Sequence, residues 1–234
     1  NASSQNTSVS GYVSTSGQQT MSEPEVPELL FWDGSFLSQV RERIYRGDSD
    51  LQPAANKLRR DAEALLKRGP YSVMYKKGMP PSGDKHDYMS LGAYWWPDPD
   101  SSDGKPYVRW DGQRNPEADT DHYDKSSLRS MMSSVTKLGL AYYLFGEDAY
   151  GTHAAQLLRT WFIDEATRMN PNMQYAQAVL GKNEGRRVGI IDTARLTDVL
   201  DAVSLLDSSV WSKDDQRTLE SWFRSYLAWL QNST

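Results

Sequence analysis

The sequence has no cysteine among its 234 residues and only three histidines, His86, His122 and His153. Without cysteine, neither disulfides nor thiolate metal sites can contribute to the structure. Three histidines are too few for a histidine-rich metal cluster, and no cofactor motif is present, so we expect no cofactor. The acidic runs 98–100 and 119–121 leave two alternatives open, solvated turns or a carboxylate site for a divalent cation.

The sequence also lacks a run of about 18 apolar residues, so we expect no membrane-spanning segment. Positive charge is in deficit, since 26 Lys and Arg against 31 Asp and Glu give a net charge of −5. Proteins bind nucleic acid through basic surfaces, which argues against nucleic acid as a partner. The field in a cleft depends on local charges, however, so the overall sign says little about an anionic ligand there.

Apolar residues are scarce at the start of the chain, where Ser, Thr, Gln, Asn and Gly dominate the first twenty positions. Such a composition cannot bury a core, so we predict a flexible polar leader over residues 1–27 and a folded domain over 28–234. Glycosylation sequons begin at Asn1, Asn6 and Asn232. With no initiating Met and no apolar targeting segment, they favour a mature, secreted, extracellular protein.

Apolar residues recur at helical spacing in several stretches, whereas the alternation typical of strands is scarce. We predict helices over residues 36–44, 53–67, 126–145, 148–167, 192–206 and 213–230. Gly69 and Pro70 would stop the second helix, and Asp192 or Thr193 would cap the fifth. Helices that follow one another in pairs predict an all-α fold built from helical hairpins.

Two long irregular segments, 70–125 and 170–189, interrupt the helices, and segments of that kind are usually functional. The first contains adjacent Trp95 and Trp96 before Pro97-Asp98-Pro99, where the prolines exclude a helix. This stretch predicts an ordered loop that presents aromatic rings. The rings would either form a platform for a sugar or plug the loop into the core.

The second irregular segment is rich in amide, phenol and cationic side chains, as at Asn172, Tyr175, Gln177 and Arg186. Together these groups suit a substrate that carries hydroxyls and carboxylates. The alternative is a loop that satisfies its own backbone through Asn and Gln and leaves Arg at the surface. The residues alone do not decide between the two.

Three stretches resemble, in this order, the alginate lyase-type polysaccharide lyases with α/α-toroid folds: HDYMSLGAYWWPDP, GKPYVRWDGQRNPE and MNPNMQYAQAVLGKNEGRRVGIIDT. The resemblance implies an (α/α) toroid, or an incomplete barrel of helical hairpins, with long irregular cleft loops. It also implies cleavage of a β-linked polyuronate, alginate or glucuronan, by β-elimination. Such an enzyme must neutralise the C5 carboxylate, remove the C5 proton and protonate the departing O4.

The resemblance further implies that the chain supplies a lid, residues 85–96, and a cleft for an acidic polysaccharide. The implied substrate-binding residues are Lys85, His86, Tyr88, Trp95, Trp96, Arg109, Asn172, Tyr175, Gln177 and Arg186. The resemblance also implies that an Asn-His pair performs the first of these tasks and that a Tyr, with an Arg nearby, transfers protons. These residues lie around an Asn-Asn-His motif, which this sequence lacks. We therefore expect the catalytic residues beyond Thr234, in the remainder of the same protein, and leave them unassigned.

Two other functions stay open. The chain could be a non-catalytic carbohydrate-binding α/α domain that keeps a cleft without the chemistry. It could also be an α/α-toroid glycoside hydrolase, which would need an Asp or Glu pair across the cleft. No such pair stands out in the sequence.

Overall fold

The computed structural model describes residues 26–233. Its six α-helices are α1 (Gly34–Tyr45), α2 (Gln52–Leu65), α3 (Lys125–Phe145), α4 (Asp148–Leu158), α5 (Leu196–Ser204) and α6 (Lys213–Asn232). Its four short strands are β1 (Met89–Leu91), β2 (Trp95–Trp96), β3 (Val108–Arg109) and β4 (Tyr175–Ala178). The predicted all-α class is confirmed, and the four helices predicted at 36–44, 53–67, 126–145 and 213–230 lie where expected.

Some predictions concern residues outside the described range. The predicted leader over 1–27 lies almost wholly outside the described residues, and the sequons at Asn1 and Asn6 lie entirely outside them. Asn232 is described, and it is an exposed residue at the end of α6 whose amide donates to the Ala228 carbonyl. Within residues 26–233, no helix is long and apolar enough to cross a membrane.

Helix α3 lies at the centre of the fold and packs against α1, α2, α4 and α5. Its buried face repeats at intervals of three and four residues, at Leu128, Met131, Val135 and Leu138. Gly139 lets α5 approach closely, because a Cβ at this position would lie 2.9 Å from the Ala202 carbonyl oxygen. The main apolar core that stabilises the domain is therefore built around α3.

Two predicted helices have different ends from those expected. The helix predicted over 148–167 passes into a π-helical turn, Arg159–Ile163, which buries three successive side chains and ends at Asp164. The helix predicted from 192 begins only at Leu196, after a 3-10 turn over Arg187–Thr193. Neither Asp192 nor Thr193 caps α5, so that prediction is wrong. The Asp192 carboxylate accepts hydrogen bonds from other elements instead.

Short strands, which sequence periodicity did not predict, join the two irregular segments. Strands β1 and β4 pair in parallel, with Met89 opposite Tyr175 and Leu91 opposite Ala178. Strands β2 and β3 pair in antiparallel fashion within the first segment. The β1–β4 pair brings residues more than 80 positions apart to one place beside α3, which positions the site described below.

A buried ion pair fastens the first irregular segment to the start of α3. The Lys76 ammonium lies 3.0 Å from the Asp124 carboxylate, and both side chains are almost wholly buried. Lys76 also donates to the carbonyls of Val73, Lys85 and Asp87 at 2.8 to 2.9 Å. Burial raises the pKa of Asp124 to about 7, and the neighbouring ammonium opposes that rise.

Candidate functional site

A cleft of about 560 Å³ lies between the two irregular segments and α3. Its lining holds one carboxylate, Asp192, and six cationic side chains. The cations are Arg109, Arg114, Lys125, Arg129, Arg186 and Arg195. Low-dielectric walls lined by charge of one sign concentrate the field, so this cleft attracts anions although the whole chain is acidic.

The cations of the cleft differ in how firmly they are paired. Three arginines pair with carboxylates close by in sequence, as Arg109–Asp111, Arg114–Asp119 and Arg195–Asp198. Because these pairs are solvent-accessible, each is worth about 0–1 kcal/mol and can be exchanged for a ligand carboxylate. Within residues 26–233, Arg129 and Arg186 have no carboxylate partner. They are the cations most available to an anionic ligand.

Arg186 is fixed in place by Gln177. Its Nε donates to the Gln177 carbonyl at 2.7 Å and one terminal nitrogen donates to the Gln177 side-chain oxygen at 3.0 Å. Gly92 gives it room, since a Cβ there would come within 2.7 Å of the guanidinium. Burial and the nearby Arg109 lower the pKa of Arg186, although a guanidinium stays protonated in proteins. The remaining donors suit a bidentate contact to a carboxylate.

Gln177 has the one positive φ among the non-glycine residues described, at +51°. This left-handed conformation costs a residue with a Cβ about 1–3 kcal/mol and persists only where its surroundings impose it. The backbone N–H of Gln177 donates to Ser90 at 2.8 Å, and its side-chain amide donates to Asp192 at 3.0 Å. Local strain held by several partners is typical of functional sites.

Asp192 is the point at which these contacts meet. Its side chain is 2% exposed and pairs with Lys125 at 2.9 Å. It also accepts hydrogen bonds from the Tyr88 hydroxyl at 3.1 Å, from Ser90 at 2.7 Å and from Gln177. Four donors compensate for the burial of this charge. Asp192 therefore joins α3, β1 and β4 beneath the cleft.

The structure brings four of the ten predicted site residues together in the cleft. They are Trp95, Arg109, Gln177 and Arg186. The Trp95 ring centre lies 4.7 Å from the Lys182 ammonium and 5.6 Å from the Arg186 guanidinium carbon. The ring therefore makes cation–π contacts that hold cations at the cleft wall.

Tyr88 lies elsewhere than expected. Its side chain has no exposed surface and belongs to the main core, with only its hydroxyl reaching Asp192. Burial and the Asp192 charge raise the pKa of the Tyr88 phenol well above its usual value. The prediction that Tyr88 contacts substrate directly is therefore corrected, because a buried ring cannot touch a polymer. Motion of a lid over residues 85–96 stays a prediction.

Three further predicted residues lie outside the cleft lining, in contact with the irregular segments or with residues beside them. The His86 ring nitrogen Nδ1 lies 2.6 Å from the Arg168 carbonyl oxygen. The Asn172 amide donates to the Asp87 carboxylate at 3.0 Å, and the Lys85 carbonyl accepts from buried Lys76. These contacts match the alternative in which the loop polar groups satisfy the loops themselves.

Trp96 and Tyr175 also lie outside the cleft lining. Trp96 stacks on Trp110 with ring centres 5.4 Å apart and donates its N–H to the Gln113 carbonyl. Tyr175 is half-buried in β4, opposite Met89. The two adjacent tryptophans thus have different environments, one in the cleft wall and the other against a neighbouring aromatic ring.

Sequence reasoning missed several residues of the cleft. Lys125, Arg129, Arg195 and Asp192 come from α3 and from the region just before α5, outside or at the edge of the irregular segments. Charged residues on helices usually indicate a solvated face, so no local signal separated these from the others. Among the described residues, no group of three or more His, Asp or Glu side chains is arranged to hold a metal ion.

The fold agrees with the comparisons to known proteins. The family described as alginate lyase matches residues 72–234, and the chain belongs to this family. The crystal structure of an alginate lyase from Bacteroides ovatus is 43% identical and superposes with a TM-score of 0.84. The match covers 89% of this chain and 55% of that one, so this chain spans about half the length of that relative. A search of curated proteins gave no match.

Proposed function

We propose that the whole protein is a polysaccharide lyase and that this part of it holds the uronate carboxylates. The observation that carries the proposal is the cleft itself, which is lined by six cations and one buried carboxylate in a chain of net charge −5. A polyuronate bears a carboxylate on every sugar, and guanidinium groups recognise carboxylates in bidentate fashion. Membership in the alginate lyase family supports the same conclusion.

The residues of this chain would make the C5 proton of the substrate easier to remove. In β-elimination a base takes the C5 proton, the electron pair forms the C4–C5 double bond, and the C4–O4 bond breaks. The departing O4 then takes a proton from an acid. Arg186, held by Gln177, would neutralise the C5 carboxylate and stabilise the negative charge that develops as the proton leaves. We place the base and the acid in the remainder of the protein beyond Thr234.

Several finer statements belong to this proposal. The substrate is alginate or glucuronan, and the helices close with the rest of the protein into an (α/α) toroid around the cleft. The protein is secreted and carries glycans at Asn1, Asn6 and Asn232. The position of Asn232 supports its assignment, because an exposed helix end is accessible to a glycosylating enzyme.

The test uses the full-length protein and a panel of polymers: polymannuronate, polyguluronate, glucuronan and a neutral glucan. We expect ultraviolet absorbance from the C4–C5 double bond with at least one polyuronate and none with the glucan. New reducing ends without absorbance would indicate a hydrolase. Binding without any product would indicate a carbohydrate-binding domain. Either result would overturn the proposal.

A further inference from the structure

A second cavity of about 450 Å³ lies between α2 and α3. Two residues, Arg129 and Arg195, line both this cavity and the cleft. The two cavities are therefore neighbours that share a wall of positive charge. We call the second one the α2–α3 trough.

The trough is lined by a polar face of α3. Ser130, Ser133, Ser134 and Lys137 follow one another at intervals of three, one and three residues, so they lie on one side of the helix. The opposite side of α3 carries the buried apolar residues of the core. Serine is a weak helix former, so three serines on one helix face cost stability without adding apolar burial. Ser130 and Ser133 are partly exposed and present their hydroxyls to the trough, whereas Ser134 is buried.

The charges of the trough favour an anion as well. Arg68, Arg129, Lys137 and Arg195 line it against a single carboxylate, Asp61. Asp61 already pairs with Lys57 at 2.9 Å and with Lys137 at 3.1 Å. Arg68 is exposed in the turn that follows α2 and has no carboxylate partner within residues 26–233. Hydroxyls beside a free guanidinium suit a ligand that carries both hydroxyls and carboxylates.

We propose that the α2–α3 trough is a second binding site for an acidic sugar residue, which continues the polymer held in the cleft. The choice of ligand rests on the function proposed above. Serine hydroxyls would pair with the sugar hydroxyls, and Arg68 would pair with its carboxylate. A volume of about 450 Å³ lies within the roughly 300–1,000 Å³ typical of small-molecule sites. Arg129 and Arg195 would contact the polymer where it passes from one cavity to the other.

The test uses the full-length protein and oligouronates of increasing length. The measurement is kcat/KM for oligomers that are cleaved and Kd by calorimetry for those that are not. We expect affinity to rise with length and then to level off once the trough is filled. Arg68→Ala should weaken the binding of the longer oligomers roughly 2- to 10-fold and leave the binding of the shortest unchanged. Ser133→Asp, which adds a carboxylate to the trough, should do the same.

The matched control is Arg60→Ala, an exposed arginine within α2 that lines neither cavity. This variant should leave the binding and cleavage of every oligomer unchanged. The inference is overturned if Arg68→Ala weakens all lengths equally or none of them. Length-dependent binding without any cleavage would overturn the proposed lyase function and leave the trough standing. If every oligomer is cleaved equally well by wild type, Arg68→Ala and Ser133→Asp, the trough is not a binding site, and the lyase function stands.

Discussion

Around α3 the elements meet through fully buried apolar side chains such as Leu138 and Trp161, whereas buried charges fasten the two irregular segments. In the first region the contacts are non-directional, and many side chains share the burial. In the second, Lys76 and Asp192 each have several hydrogen-bonding partners, and Asp124 holds both Lys76 and the Met89 N–H at fixed distances. The helices thus form a packed support, and the site is built on a polar scaffold.

The two kinds of region should respond differently to substitution. An apolar core accepts replacements of similar volume at a cost below about 1.5 kcal/mol. A buried charge that loses its partner has no equivalent replacement, because it can neither return to water nor find another counter-charge. We therefore expect the irregular segments, despite their lack of regular structure, to contain the positions that tolerate change least.

The largest expected effect is that of Asp124→Ala. The change leaves the Lys76 ammonium buried without its counter-charge, which costs about 3–5 kcal/mol of unfolding free energy. Urea denaturation of the full-length protein measures this loss. The double variant Lys76→Met with Asp124→Leu should be more stable than Asp124→Ala, because it removes both charges. A single variant within about 1 kcal/mol of wild type would show that the pair does not fasten this segment.

The next effect concerns activity. Arg186→Ala removes the guanidinium that is proposed to hold the C5 carboxylate, a contact of about 1.5–3 kcal/mol. We expect kcat/KM on polyuronate to fall roughly 10- to 150-fold, with a much smaller change in the unfolding midpoint. The control is Arg187→Ala, an exposed neighbour that does not line the cleft. Equal losses from the two variants would remove Arg186 from the site.

The helices could be predicted because their signal is local. Apolar spacing identified all six helices, and the errors were confined to ends, where a π-helical turn and a 3-10 turn replaced regular helix. Hydrophobic periodicity reports which face is buried, and it does not report how a turn pairs its backbone groups. The prediction that Asp192 or Thr193 caps α5 was wrong for a related reason. The Asp192 carboxylate accepts hydrogen bonds from donors far away in the sequence, Tyr88 and Gln177, which periodicity does not report.

The site could be predicted only in part, because its contacts join residues far apart in the chain. Arg186 and Gln177 were identified within one segment, where their residue types suggested a ligand for carboxylates. Lys125 and Asp192 are 67 positions apart in the sequence, and no local sequence pattern marks them as partners. Tyr88 had the right chemistry for a substrate contact, but only the fold reveals that its ring is buried.

A smaller effect is expected where a charge pair joins two helical elements. Arg159 lowers the pKa of Asp215 from 3.8 to about 2, and the pair is partly exposed. A depressed pKa means that the stabilisation is complete above pH 3.8 and is lost as pH falls through about 2. After screening, we expect Asp215→Asn to cost about 1–2 kcal/mol at neutral pH.

The measurement for this pair is the unfolding free energy of both proteins from pH 7 down to pH 2. The difference between wild type and Asp215→Asn should stay constant to about pH 4 and then shrink. Asp214→Asn, in the adjacent position, breaks only an exposed pair with Arg217 and should stay within about 1 kcal/mol of wild type. A difference that grows on acidification would contradict the role given to Arg159.

The smallest expected effect tests where Tyr88 belongs. Tyr88→Phe keeps the buried ring and removes one of four donors to Asp192, so it should cost about 0.5–1.5 kcal/mol of stability. Because the hydroxyl lies beneath the cleft, kcat/KM should change far less than with Arg186→Ala. Tyr45→Phe is the control, an exposed ring at the end of α1 that lines neither cavity, and should leave both quantities unchanged. If Tyr88→Phe keeps full stability but abolishes cleavage, the hydroxyl takes part in the chemistry. The segment around it would then have to open in the working enzyme, as the predicted lid requires.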